Sequence, residues 1–312
     1  MHLATTTYDF IPFLPTQAER VRQYEGTGFR FLDYSFDDAF FPGSSFLTDR
    51  WMDDVLAAEK AAEQLGFTFV QAHAPGAYNF LDPSADHEAG MLAMTRSIEA
   101  CGYLGIPNLV VHASTCNRMM GPAGRDSFFR ENRQFYEKLF PSMEKSGVNV
   151  LVENTGYANQ DGKYYLMTGQ DMVDFVEYVG HPLLKVCWDT GHANMNFYNQ
   201  YHEITTIGKY AAAFHMQDNF GVTDDHIAPL MGTTDWDAIM QALFAIDFKG
   251  YFTLESPRGI RTADAWPQFR RFNDLPQPCR LRDPSVDLMR QYVKLLFEIG
   301  KYILTQYDCF EA

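Results

Sequence analysis

Residues 189–192 read Asp-Thr-Gly-His, directly after the apolar run Val186-Cys187-Trp188. A carboxylate and an imidazole thus stand where a buried strand would leave its neighbours. The pattern recurs: His73 ends FTFVQAH, His112 ends NLVVH, Glu153 ends VNVLVE, His215 ends AAAFH and Glu255 ends GYFTLE. Positions 73, 112, 153, 189, 215 and 255 are separated by 39, 41, 36, 26 and 40 residues, about one strand–helix unit at every step but the fourth. Three carboxylates gathered in one place repel and take up protons unless a cation joins them. Glu153, Asp189, His215 and Glu255 form a four-ligand set for one divalent ion. Its oxygen-rich character favours Mn²⁺, with Mg²⁺, Co²⁺ and Zn²⁺ as alternatives. An ion with open positions could hold two neighbouring oxygens of a hydroxy-carbonyl compound and stabilise an enediolate. Carboxylates on opposite sides could remove and return the proton. Taken singly, each residue has a plainer reading. His73 or His112 could be a hydrogen-bonded structural residue, Glu255 a helix cap, and Asp189 with His192 a local turn.

What must position such residues is a repeated unit of apolar strand, polar exit and amphipathic helix. The strands are nearly continuous apolar runs, as expected for parallel strands covered on the outside. Between them lie helical patterns such as RWMDDVLAAEKAAEQLG and FFRENRQFYEKLFPSMEKSG, several ending in Gly. Two weaker units precede them: HLATTTYDF as strand one and FRFLDYSFDD as strand two, with a helix over 16–26 between. A final helix spans about 285–306. Eight strand–helix units predict a single (β/α)8 barrel over residues 1–312, whose strand exits converge on one face. A doubly wound sheet is the alternative, but no strand is followed by a GxGxxG turn and the polar exits are spread over six strands. Long loops are expected after strand four (113–126), with Arg118 and Arg125, and after strand eight (256–284), with Arg258, Trp266 and Phe269.

The chain has 312 residues, 46% of them hydrophobic, including 26 Phe and 17 Tyr, enough for a sizeable core. Its formal net charge is -15, from 40 acidic and 25 basic residues. That charge argues against nucleic acid, whose affinity comes mainly from Lys and Arg displacing counterions. Five widely spaced cysteines without a CxxC pair suggest neither a thiolate metal site nor a disulfide framework. The first residues lack a basic segment followed by an apolar one, and no run approaches 18 apolar residues, so a cytoplasmic protein without membrane contact is expected.

With these residues in view, the chain resembles the xylose-isomerase-like barrels that include sugar and sugar-phosphate isomerases and epimerases. The resemblance covers about residues 20–305. It is carried by LVENTG (151–156), DTGHAN (189–194), FHMQDNFG followed by DDHIAPLMGTTDW (214–236), and FTLES (252–256). It implies a metal held by Glu153, Asp189, His215 and Glu255. It also implies that Glu153 and Glu255 act as the acid/base pair, with His192 contacting substrate oxygens. His73, His112, Asp224, His226 and Arg258 complete the expected substrate-binding set, Arg258 as an anchor for an anionic or polyhydroxy group or simply as a solvated loop residue. Two departures bear on the substrate. Members that epimerise free ketoses carry an Arg six residues after the strand-seven His, where this chain has Gly221, and the acidic loop after the DDH motif is replaced by the more apolar PLMGTTDW.

The expected activity is therefore isomerisation or epimerisation of a small carbohydrate, in a homodimer or homotetramer. Three rivals remain open. A dehydratase or lyase acting on an oxidised sugar would begin with the same proton abstraction. An abasic-site endonuclease of the same superfamily would use His73, His112, Glu153, Asp189, His192, His215, Asp224, His226 and Glu255 for three zinc ions. A non-catalytic barrel could retain the ring without turnover.

Overall fold

Strands buried on both faces need backbone partners on both edges and side-chain cover on the outside, and a closed parallel barrel supplies both. In the computed structural model, which describes residues 1–260 and 282–312, eight parallel strands meet that need. They are β1 (Leu3–Thr6), β2 (Phe31–Ser35), β3 (Thr68–His73), β4 (Asn108–Val110), β5 (Asn149–Glu153), β6 (Leu184–Asp189), β7 (Ala211–His215) and β8 (Phe252–Leu254). From β1 to β7 each strand pairs with its sequence neighbour, and β1 also pairs with β8. The β7–β8 seam closes through Met216, whose N–H donates to Thr253 O (2.8 Å) and whose carbonyl accepts from Glu255 N (3.1 Å). The (β/α)8 expectation is correct.

The outer layer consists of α1 (Gln17–Arg22), α2 (Trp51–Leu65), α3 (His87–Leu104), α4 (Pro122–Glu137), α5 (Phe140–Ser146), α6 (Gly169–Val179), α7 (Thr190–Met195), α8 (Gln200–Ile207), α9 (Trp236–Ala245) and α10 (Val286–Gln306). Helices α2, α3, α5 and α6 end on Gly66, Gly105, Gly147 and Gly180, all left-handed, as the sequence pattern requires. No helix among the described residues is long and apolar enough to cross a membrane.

Side chains alternate along a strand, so one residue in two faces the barrel interior. The outward set, including Val150, Val152, Val186, Trp188, Phe214 and Phe252, joins the helices in the main core. The inward set includes a separate small cluster, Val110, Leu151, Cys187 and Ala213. Two residues further along each of those strands come His112, Glu153, Asp189 and His215. The other half of the interior is polar: Gln71 accepts a hydrogen bond from Thr253 across it (3.4 Å), and Asp33 is fully buried nearby.

One expectation needs correction. The loop after strand four was predicted to run to residue 126, but α4 begins at Pro122. Proline is favoured in a first helical turn, where its missing N–H costs nothing. Arg125 therefore sits on α4, paired with Asp174 (2.8 Å) and stacked 4.2 Å over Phe129, while Arg118 pairs with Glu131. Neither reaches the barrel mouth. Of the predicted loop after β8, residues 256–260 and 282–284 are described; Trp266 and Phe269 lie outside the described residues.

Asp9, just after β1, gives the interior a pH dependence. It accepts from Thr5 Oγ1 (3.0 Å) and Tyr24 Oη (3.1 Å), and its other oxygen has no hydrogen-bond partner among the described residues. Burial pushes its pKa up to about 7, against the lowering effect of the Thr5 and Tyr24 hydrogen bonds. A carboxyl raised by folding stabilises the protein below its unfolded pKa of about 4, and that contribution is lost as pH rises through about 7. In metal-stripped protein, Asp9→Asn should therefore gain stability over wild type between pH 5 and pH 8, by roughly 1–3 kcal/mol. Urea unfolding at the two pH values measures it, and an equal difference at both would exclude an ionising Asp9.

Candidate metal centre and active site

The inward register brings the ends of β3 to β8 to one place. Glu153, 2% exposed, lies at its centre. Its Oε2 is 2.9 Å from His112 Nε2 and 3.7 Å from His73 Nε2; its Oε1 is 3.0 Å from His215 Nδ1 and 3.6 Å from His192 Nδ1. Glu255 Oε2 approaches His215 Nδ1 at 3.4 Å and His226 Nδ1 at 3.5 Å. Asp224 Oδ1 stands 3.4 Å from His192 Nε2 and 3.1 Å from His226 Nε2. All ten predicted site residues are present here, in or beneath one cavity of about 300 Å³. Arg258 is at its mouth, with Nη1 donating to the Asp224 carbonyl (2.9 Å), so part of the guanidinium serves the loop after β7.

Potential ligand atoms fall into three groups, each with all its atoms within 4.8 Å of one another: His73, His112 and Glu153; Glu153, Asp189, His215 and Glu255; and His192, Asp224 and His226. Two observations fit a cation. Asp189 is fully buried, and its Oδ2 has no hydrogen-bond partner among the described residues; leaving a charged oxygen so placed is costly. The histidines are also oriented as metal ligands usually are. His73 Nδ1 lies 2.6 Å from Ala74 O, His192 Nδ1 2.9 Å from Asn154 O, and His226 Nδ1 3.1 Å from Glu255 O. A carbonyl only accepts, so Nδ1 carries the proton in each ring and Nε2 is turned to the cavity.

Without a cation the charges settle on protons. Burial opposes ionisation of Glu153, yet His215, His112 and His73 hold its pKa well below the usual carboxylate range. Burial lowers the histidine pKa values, but Glu153 and Asp37 raise His73 to about 10 and Asp224 raises His226 to about 9. Asp189 is pushed up to about 7 by burial, against the pull of His192. A cluster with this many mutually dependent protons is the electrostatic counterpart of a multivalent cation site.

The supports were not anticipated. Asn154 ties β5 to β6, with Oδ1 accepting from Asp189 N (2.7 Å) and Nδ2 donating to Asp189 O (3.0 Å). Gln217 Nε2 donates to both Asp189 Oδ1 and Asp224 Oδ1 (3.1 Å each), linking two ligand groups. Asp218 accepts from Gly232 N and Thr234 N (3.0 Å each) and Trp236 Nε1 (3.2 Å), anchoring the apolar loop that precedes α9. Asp33, Tyr8 and Asp37 were likewise missed. The available signal was a polar residue interrupting or ending an apolar strand, as in FLDYS. The D-T-G-H segment is a turn as well as a source of candidate ligands: Asp189 Oδ1 accepts from His192 N (2.6 Å) and caps α7.

The chain belongs to the family of xylose isomerase-like TIM barrels, whose model matches residues 21–272. It is 28% identical over 180 residues to an uncharacterized protein, y4fM, of Sinorhizobium fredii, a match spanning 54% of this chain and 53% of that protein, about half its length. Its fold is similar to that of a D-psicose 3-epimerase from Clostridium cellulolyticum H10, solved with D-tagatose (TM-score 0.70, 17% identity, covering 97% of this chain and 99% of that one). It is also similar to the IOLI protein, solved with a zinc atom (TM-score 0.72, 16% identity, covering 98% and 99%).

Gly191 tests the support of the ligands. A methyl group there would stand 2.1 Å from Gln217 Cδ and Oε1. Gly191→Ala should displace the amide that holds Asp189 and Asp224, weakening divalent-metal binding about ten- to a hundredfold. Competition calorimetry against a chelator measures this, and wild-type affinity would show that Gln217 does not support the site.

Proposed function

We propose that this barrel is a divalent-metal-dependent isomerase or epimerase of a sugar or sugar derivative. In this reading it moves a proton on the carbon next to a carbonyl. The observation that carries the reading is the grouping of Glu153, Asp189, His215 and Glu255 within 4.8 Å at the floor of a cavity sized for a small molecule. A divalent ion held by those four residues would supply the positive charge that stabilises an enediolate. Glu153 and Glu255 are the acid/base pair. Glu153 is kept ionised by the imidazoles around it, while Glu255 reaches the cavity with its side chain 18% exposed. His73, His112, His192 and His226 offer ring nitrogens to substrate hydroxyls, and Asn79, Thr115 and Asn159 line the outer wall with groups suited to hydroxyls. Arg258, the one Lys or Arg among the described lining residues, takes the far end of the substrate. Mn²⁺ fits the mixed donor set, a small carbohydrate is the partner, and a cytoplasmic homodimer or homotetramer completes the reading. Elimination from an oxidised sugar would use the same first proton transfer and is distinguished by its product.

A second reading has its own observation. The nine residues of the three ligand groups could hold three ions, an arrangement suited to hydrolysing a phosphodiester, as in an abasic-site endonuclease. The net charge of -15 weighs against a nucleic-acid substrate.

Metal content decides between them. One ion per chain, lost in Asp189→Ala, is expected for the isomerase; three zinc ions per chain would reject it and make abasic DNA the next substrate. Incubating a panel of ketoses and keto-inositols in D₂O should then place deuterium on the carbon beside the carbonyl. Glu153→Gln should slow that exchange at least a hundredfold. Exchange unchanged in this variant would remove Glu153 from proton transfer.

A further inference from the structure

We propose that Asp33, on β2, is a positioning residue that holds His215 by its Nε2–H, directly or through one water, and so aims Nδ1 at the ligand group. The proposal rests on the reading of Glu153, Asp189, His215 and Glu255 as a metal site. It begins from a difference among the histidines. His73, His192 and His226 each fix their orientation by donating Nδ1–H to a backbone carbonyl. His215 is turned the other way: Nδ1 faces Glu153 at 3.0 Å and Glu255 at 3.4 Å, which leaves Nε2 pointing into the barrel. No carbonyl among the described residues meets it there. The carboxylate that does is Asp33, whose Oδ2 lies 4.0 Å from Nε2.

Besides His215, the polar neighbours of Asp33 are His73 and the Gln71 amide. Asp33 is 1% exposed, and neither of its oxygens has a partner at full hydrogen-bond geometry among the described residues. A buried carboxylate left so would be costly, and polar groups abandoned in this way are rare in folded proteins. A separation of 4.0 Å is ion-pair range rather than hydrogen-bond range, and one water spans it. The surroundings favour a polar bridge on this side. Gln71 and Thr253 occupy the same interior layer, with Gln71 Nε2 also unpartnered, whereas the β4–β7 side of that layer is Val110, Leu151, Cys187 and Ala213. The Cys187 thiol, also beside His215, is a weak acceptor and cannot replace a carboxylate. The register explains why the job falls to β2. Asp33 pairs with Gln71 on β3, one layer below His73, so its side chain enters the interior beneath the ligand ring.

The test uses Asp33→Ala and Asp33→Asn, the second keeping an acceptor oxygen and nearly the same volume. In ¹H–¹⁵N spectra of metal-stripped wild type, His215 should give a slowly exchanging Nε2–H signal, assigned by its loss in His215→Gln. That signal should survive in Asp33→Asn and vanish in Asp33→Ala. Zn²⁺ affinity, measured by competition calorimetry, should fall about ten- to a hundredfold in Asp33→Ala and only a few-fold in Asp33→Asn. An Nε2–H signal in Asp33→Ala like that of wild type, or equal Zn²⁺ affinity in Asp33→Ala and wild type, would overturn the assignment. So would wild-type protein without the protected signal. The spectra need neither bound metal nor turnover. If wild type binds no metal, the enzyme reading falls, while the Nε2–H signal still decides whether Asp33 holds His215.

Discussion

A fully buried carboxylate needs compensating charge, and Glu153 has four imidazoles within 3.7 Å to provide it. Much of the barrel's exit face follows from that requirement. The imidazoles come from β3, β4, β7 and the start of α7, so the charge is balanced only when strands far apart in sequence close into one ring. Asp189 and Glu255 add two more carboxylates to the same place. With protons alone the cluster balances its charge through histidine pKa values well above the ordinary range; with divalent ions it balances by coordination. Either way, the constellation is electrostatically stable only as a whole.

The strand register makes the ring by a simple rule. Alternation turns one residue in two inward, and the last inward residue of each of β3, β5, β6 and β7 is a ligand candidate: His73, Glu153, Asp189 and His215. His112 and Glu255 follow just past the ends of β4 and β8 and continue the same alternation. One layer below, small apolar residues pack one half of the interior and polar residues the other. A one-residue slip in any of these strands would exchange an ionisable group for an apolar one from the helix-facing set. Stability and site assembly therefore impose the same register.

A second tier keeps the ring rigid. Asn154 fastens β6 to β5 through two backbone hydrogen bonds, Gln217 joins Asp189 to Asp224, and Asp218 gathers the loop before α9. Backbone carbonyls set three of the histidines. Asn154, Gln217 and the backbone carbonyls are neutral groups, which hold the ionisable side chains without adding charge to an already crowded centre.

The sequence by itself determined the number and order of the strand–helix units, because near-continuous apolar runs and glycine-terminated helices are local patterns. It also determined the main ligand candidates, because an ionisable residue at the exit of a buried strand must meet a compensating charge or the open mouth of the barrel. The start of α4 was missed because the sequence from 113 to 126 lacks an apolar stripe strong enough to outweigh its polar, glycine-containing beginning. Only the tertiary structure decided how the nine ionisable residues divide into three groups, since that depends on which side-chain nitrogens and oxygens face one another across strands. It alone exposed Asp33 and Gln217 as well. Each looks like an ordinary polar residue in sequence, and its significance lies in partners that chain closure brings within about 4 Å.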